Sequence, residues 1–118
     1  MRKNIKIDNK DYIMQSSAYT QFAYKNETGR SLLKDLQSIV KLVKNKKEED
    51  YGIDELDAVT DLILKVAYVM TIEADDKQYN NYVEFIKSID NLYDDQTWIQ
   101  EVITLACAPL SRQLQSNN

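Results

Sequence analysis

The side chains able to do chemistry in this chain are almost all carboxylates. Asp75-Asp76 and Asp94-Asp95 are adjacent pairs, and Asp54, Glu55, Asp57 and Asp61 form a third acidic group. Paired acids can work as general acid and base, or hold a hard cation such as Mg²⁺ or Ca²⁺. Adjacent acids on a helix point in different directions, whereas Asp57 and Asp61, spaced i, i+4, share a face. The calcium-loop pattern with its central glycine is absent. All three groups fall where helices are expected to start, and carboxylates there are favoured by capping and by the helix dipole. The reading is therefore caps and solvated faces, with no metal and no cofactor.

The rest of the inventory is sparse. There is no His and one Cys, Cys107, so a Ser-His-Asp triad, a Cys-His pair and a structural zinc site lack their parts. Cys107 is expected to be a small buried hydrophobe. Gly29 and Gly52 are the only glycines, too few for a phosphate-cradling loop. No enzymatic activity is expected. The net charge of −4, from 15 basic and 19 acidic residues, argues against nucleic acid as the main partner. Basic residues gather at Arg2, Lys3 and Lys6, and at Lys41, Lys44, Lys46 and Lys47, but Glu48, Glu49 and Asp50 follow the second group at once. No apolar stretch resembles a signal peptide, and the longest apolar run, Val66–Met70, is far short of the roughly 20 residues that span a bilayer. A cytoplasmic protein is the simplest expectation.

With 118 residues, 43% of them apolar, and only two Gly and one Pro, the chain is expected to form one mainly α domain over residues 1–112. Residues 113–118 are polar and expected to fray. Residues 4–14 alternate as a short N-terminal hairpin. With a turn at Asn9-Lys10, Ile7 faces Tyr12 and Ile5 faces Met14, which puts Ile5, Ile7, Tyr12 and Met14 on one face. About five helices follow. The first starts after Ser16 or Ser17, buries Tyr19, Phe22 and Ala23, and stops near Thr28-Gly29. The second carries Leu32, Leu33, Leu36, Ile39, Val40 and Val43 at helical spacing. The polar stretch 45–52 connects it to the third.

The third helix has a main stripe of Leu56, Val59, Ile63, Val66 and Met70, and a second of Leu64, Tyr68 and Ile72 on roughly the opposite side. Apolarity on two faces marks a central helix. The fourth is expected over Asp76–Ser88. The fifth is capped by Asp94 or Asp95, buries Trp98, Val102 and Leu105, and ends at Pro109.

Eight Tyr against two Phe and one Trp is a tyrosine-heavy composition. Tyr suits half-wet sites and is enriched at protein interfaces. Residues outside the main stripes are therefore candidates for a partner surface: Tyr24, Leu64, Tyr68, Ile72, Tyr82 and Phe85. Tyr24 sits roughly 140° around its helix from Tyr19. The competing reading makes Leu64, Tyr68 and Ile72 core, and a central helix with neighbours on both sides favours it.

The order of segments resembles a known family. A basic, hairpin-like start leads into Ala-Tyr-Thr-Gln-Phe-Ala-Tyr-Lys-Asn-Glu-Thr-Gly-Arg-Ser-Leu-Leu-Lys-Asp-Leu at 18–36. A long apolar helix follows, then Tyr-Val-Glu-Phe-Ile-Lys-Ser-Ile-Asp at 82–90 and Trp-Ile-Gln-Glu-Val-Ile-Thr-Leu-Ala at 98–106. These resemble the tail assembly chaperones of long-tailed bacteriophages and prophages of Gram-positive bacteria. The resemblance implies a non-enzymatic protein of the host bacterial cytoplasm that binds the tape measure protein and keeps it soluble. It would help recruit tail tube protein, be released as the tube forms, and be absent from the mature virion. Such families often make a second, longer product by frameshifting. The family offers no catalytic residues to carry over, and homo-oligomerisation stays open. The alternative is a small helical adaptor of a phage or mobile element that binds a host or phage protein.

Overall fold

The computed structural model describes residues 1–45 and 53–110. The connection expected over 45–52, with Tyr51, falls outside these except for Asn45, as do the tail at 113–118 and the side chains of Val43, Lys44, Asp54, Glu55 and Leu56. The fold is mainly α. Strands β1 (Arg2–Ile7) and β2 (Lys10–Gln15) precede helices α1 (Tyr19–Thr28), α2 (Leu32–Asn45), α3 (Ile53–Ala74), α4 (Tyr82–Lys87) and α5 (Thr97–Cys107), and a 3₁₀ turn covers Ala108–Leu110.

The hairpin buries the face its alternation predicts. Ile5, Ile7, Tyr12 and Met14 all point into the core. The pairing differs by two residues from expectation, with Ile5 opposite Tyr12 and Ile7 opposite Lys10. The turn is Asp8-Asn9, with φ of 54° and 65°. A two-residue hairpin turn of the I′ type needs positive φ at both central positions, which Asp and Asn tolerate and Lys resists. A two-residue shift preserves the side-chain face, so the core pattern survives the change of partners. β2 lies along α3 and β1 along α5.

α3 is the centre. Ile63, Leu64 and every residue from Val66 to Thr71 are buried. Six consecutive buried residues exceed any single helix stripe, because each residue advances about 100°. The helix must be covered from all sides, and α1, α2, α4, α5 and β2 all touch it. Leu36 and Ile39 of α2 and Trp98, Val102 and Leu105 of α5 complete the core as their periodicity predicts. Trp98 also donates its indole N–H to the Leu92 carbonyl at 3.0 Å.

Two elements depart from the sequence reading. α4 is six residues long, where a helix over 76–88 was expected. The Asp75 carboxylate accepts the Lys77 N–H at 3.0 Å in a local turn, and the Asn81 side chain caps the Glu84 N–H at 2.8 Å. Both contacts hold the backbone out of the helix before Tyr82. The second departure is the orientation of α1. Tyr19 and Phe22 face solvent, at 61% and 63% exposed, while Thr20 and Tyr24 face inward.

Polar contacts set that orientation. Ser17 Oγ accepts the Tyr19 N–H at 3.1 Å and Thr20 Oγ1 accepts the Ser17 N–H at 2.9 Å, a reciprocal cap at the helix start. Both hydroxyls donate to the Glu73 carboxylate, at 2.7 and 2.6 Å. Glu73 is unfavourable at the end of its own helix but favourable at the start of α1. Turning Tyr19 inward would break this clamp.

Because Tyr68 is packed inside α3's surroundings, Tyr68→Ala is expected to cost about 3–5 kcal/mol, as other large-to-small aromatic changes in cores do. Urea unfolding followed by circular dichroism measures this. A loss below about 1 kcal/mol would mean the side chain is not core.

Candidate functional site

The six candidate partner residues do not form an open surface. Tyr24 and Phe85 are fully buried, Leu64 and Tyr68 nearly so, and Ile72 and Tyr82 are partly buried against the core. The second stripe of α3 is therefore core, because α1 and α4 cover it. Phe85, the one buried residue of α4, is the hub of an aromatic cluster. Its ring centroid lies 5.7 Å from Tyr12, 5.5 Å from Tyr79, 5.7 Å from Tyr68 and 6.5 Å from Tyr82. Such offset and edge contacts add to burial and fasten a helix too short to hold itself.

The hairpin tip secures the other end of α4. Lys10 Nζ donates to the Ser88 carbonyl at 2.6 Å, placing a cation at the helix C-terminus. The Tyr12 hydroxyl and Ser88 Oγ share a hydrogen bond of 2.9 Å. The Asp8 carboxylate accepts the Asp90 and Asn91 N–H groups at 3.2 and 3.0 Å.

Tyr24 was a surface candidate and is instead buried, part of a cluster in which an exposed Arg30 covers the buried Asp35 carboxylate. Its hydroxyl donates to Asp35 Oδ2 at 2.7 Å. Arg30 grips the same carboxylate with two parallel hydrogen bonds, Nε to Oδ2 at 2.9 Å and an Nη to Oδ1 at 2.8 Å. Asp35 is only 5% exposed, and a buried carboxylate survives only when paired and hydrogen-bonded. The Arg30 guanidinium holds the Asp35 carboxyl below its usual 3.8 against the opposing effect of burial, with Tyr24 and the charge of Lys65 helping. Burial and the Asp35 carboxylate push the Tyr24 hydroxyl well up.

This arrangement gives each residue of Thr28-Gly-Arg-Ser31 a mechanical role. Thr28 Oγ1 donates to the Tyr24 carbonyl at 2.7 Å and accepts the Arg30 N–H at 3.1 Å. Gly29, at φ 74°, ends α1 in the left-handed conformation that glycine adopts without strain. Ser31 Oγ accepts the Lys34 N–H at 3.3 Å at the start of α2. Sequence reasoning missed Asp35 and Arg30, although a signal was present: Asp35 sits on the apolar stripe between Leu32, Leu36 and Ile39, where an acid needs a partner.

The acids considered for metal binding are placed otherwise. Asp61 pairs with Lys65 at 3.2 Å and accepts the Tyr82 hydroxyl at 3.4 Å, while Asp57 is exposed. Asp95 accepts the Thr97 N–H and hydroxyl at 2.9 and 2.6 Å, so it serves the start of α5. Among the described residues no three His, Cys, Asp or Glu side chains come together as a metal site. Cys107 is half-buried and burial pushes its thiol up, away from the reactive thiolate.

What the surface does offer is apolar. Tyr19 and Phe22, one turn apart on α1, and Val83 on α4 are exposed, with Ile13 and Tyr93 partly so. No helix among the described residues is long and apolar enough to cross a membrane. Compared with known proteins, the chain matches no family model, no curated protein and no solved structure.

The Asp35 cluster makes stability pH-dependent in a defined direction. A carboxyl depressed in the folded state stabilises above its unfolded pKa and loses that contribution as the pH falls through its folded pKa. Arg30→Met should therefore lower the urea midpoint most near neutral pH, and the gap to wild type should close as the pH falls below 3.8. A gap independent of pH would show that Arg30 acts through packing alone.

Proposed function

We propose that this chain is a tail assembly chaperone of a long-tailed bacteriophage or prophage, which binds the tape measure protein and keeps it soluble before the tube forms. The sequence resemblance at 18–36, 82–90 and 98–106 supports the reading, and one structural observation carries it. Tyr19 and Phe22 lie within the first of these segments, on a helix whose inner face is already occupied by Tyr24 and Thr20. Two large exposed apolar side chains one turn apart suit an apolar helical partner. A tape measure protein is such a partner: long, helical and apolar until the tube encloses it.

The negative charge suits the task, because a soluble carrier must keep the complex from aggregating. Release on tube assembly asks for many weak contacts spread along the client, each displaced in turn, rather than one tight site. The chain then acts as a reversible coat without chemistry of its own. Tube subunits would displace it, so it would be missing from the mature virion.

Co-expression of the full chain with a tape measure fragment, followed by affinity purification, tests the reading. The fragment is expected to stay soluble and co-purify. Tyr19→Asp with Phe22→Asp should weaken the interaction by about tenfold or more, as loss of interface anchors does, while leaving the circular dichroism unchanged. An insoluble fragment alongside a soluble, folded chain would contradict the proposal. Equal binding by the double variant would move the contact surface away from α1. Capture of a host protein in place of the fragment would favour the adaptor reading.

A further inference from the structure

β1 and β2 form a two-stranded sheet, so each has a single strand neighbour among the described residues. Backbone groups along an antiparallel strand alternate: those of one residue turn to the neighbouring strand and those of the next turn away. The register decides which do which. Met1 and Ser16 exchange both of their hydrogen bonds, the Met1 amine donating to the Ser16 carbonyl at 2.7 Å and the Ser16 N–H to the Met1 carbonyl at 2.8 Å. Every second pair from there, Lys3 with Met14, Ile5 with Tyr12 and Ile7 with Lys10, is bonded in the same way. The two-residue turn at Asp8-Asn9 has the same parity, since such a turn closes on a bonded pair. The N–H and C=O groups of Arg2, Asn4 and Lys6 therefore point away from β2.

This outer edge is open. No hydrogen bond reaches the backbone of Arg2, Asn4 or Lys6 among the described residues. Their side chains and that of Lys3 are exposed, while Ile5 and Ile7 are fully buried and hold the strand against the core. The outer edge of β2 differs. β2 lies along α3, and the Gln78 side chain donates to the Ile13 carbonyl at 3.5 Å.

The side chains along the β1 edge carry one sign of charge. Arg2 and Lys6 share the outer face with Asn4, and Lys3 adds a third cation. None of the three cations has an ion pair among the described residues. The carboxylate on the hairpin's outer face, Asp11 of β2, sits opposite Lys6 and accepts the Asn4 side-chain amide at 3.1 Å. Charge on an edge strand guards it against a like edge. A second copy of β1, antiparallel and centred on Asn4, would set Arg2 against Lys6 at both ends, and like charges directly opposite are destabilising. An acidic strand makes the same pairs with favourable sign.

We propose that the outer edge of β1 takes up an extended acidic segment of a partner protein as a third, antiparallel strand. Main-chain hydrogen bonds to Arg2, Asn4 and Lys6 provide the attachment. Carboxylates at alternate positions of the segment, opposite Arg2 and Lys6, set its register. A phosphate or another small anion accepts hydrogen bonds without offering the row of donors that the edge carbonyls need. A strand answers donors and acceptors alike. The edge lies on a different element from Tyr19 and Phe22 of α1, and its partner need not be a tape measure protein.

The probe is the peptide acetyl-Thr-Glu-Val-Thr-Val-Glu-Thr-amide, whose two Glu fall opposite Lys6 and Arg2 when its central Thr faces Asn4. It is titrated into the full, isotope-labelled chain while the backbone amides are followed by NMR. The expected result is saturable shifts centred on β1. Hydrogen exchange at the Arg2, Asn4 and Lys6 amides should slow by about tenfold or more, and exchange at Lys3 and Ile5, already bonded to β2, should not change. The peptide with Lys in place of both Glu should bind about tenfold more weakly. The acidic peptide N-methylated at its two Glu and central Thr keeps the charge, loses the donors that face β1, and should bind as weakly. Asn4→Pro removes one outward N–H. Proline is tolerated on an edge strand where its nitrogen faces solvent, so the fold should persist while binding falls by a similar factor. Arg2→Gln with Lys6→Gln, both at exposed positions, should reduce the preference for the acidic peptide over the lysine one.

Shifts that never saturate, equal binding of the lysine peptide, or undiminished binding by the N-methylated peptide or by Asn4→Pro would overturn the proposal. So would Arg2, Asn4 and Lys6 amides already protected from exchange in the free chain. A concentration-dependent dimer in sedimentation, dissolved by Asn4→Pro, would assign the edge to a second copy and overturn the acidic partner. Loss of tape measure co-purification leaves this titration unaffected, and a failed titration leaves the α1 surface untouched.

Discussion

The constraint on which the structure depends is the middle of α3. From Val66 to Thr71 every residue is buried, so the helix has no side to turn to water. An ordinary surface helix hides one stripe and can be covered by one neighbour. This one requires cover all round. The hairpin, α1, α2, α4 and α5 each supply part of it, and none could leave without exposing apolar surface. Thr71, at the end of that run, satisfies its hydroxyl within the helix by donating to the Tyr68 carbonyl at 2.7 Å.

Covering elements that are short must be fastened, and polar contacts at the margins of the core do this. The Glu73 carboxylate ties the start of α1 to the end of α3, and the Asp35 carboxylate ties α1 to α2 through Tyr24 and Arg30. The hairpin tip ties down the end of α4 through Lys10, Tyr12 and Asp8. These contacts orient more than they stabilise, since each charge gives up hydration to form them. Their structural consequence is the outward turn of α1. Once Thr20 answers Glu73 and Tyr24 answers Asp35, Tyr19 and Phe22 are left on the outside. An exposed apolar pair and a hydrogen-bonded cluster around the buried Asp35 carboxylate are two results of one helix rotation.

Much of the fold was legible because burial leaves a periodic trace. The hairpin face, the stripes of α2 and α5 and the two-sided apolarity of α3 follow from the spacing of Ile, Leu, Val and Met. Where the trace was weak or polar, the reading failed. Tyr19 and Phe22 look like the inner face of α1 if only hydrophobicity is weighed. The true inner face is set by Thr20 and Tyr24 through partners 53 and 11 residues away, which no local pattern contains. α4 is shorter than its apolar pattern because Asp75 and Asn81 spend their side chains on turns. The hairpin register slipped by two because alternation fixes a face, and only turn chemistry at Asp8-Asn9 fixes the pairing.

Native-state hydrogen exchange measures the central constraint directly. If α3 is held by cover from every side, the amides of Val66–Thr71 should exchange only through global unfolding. Their opening free energy should then equal the stability from urea denaturation and fall in step with it as denaturant is added. Amides in this run that open through local fluctuations, with free energies well below the global value and insensitive to low denaturant, would contradict the account. α3 would then be a helix with a loose face, and the placement of α1 and α4 around it would lose its physical basis.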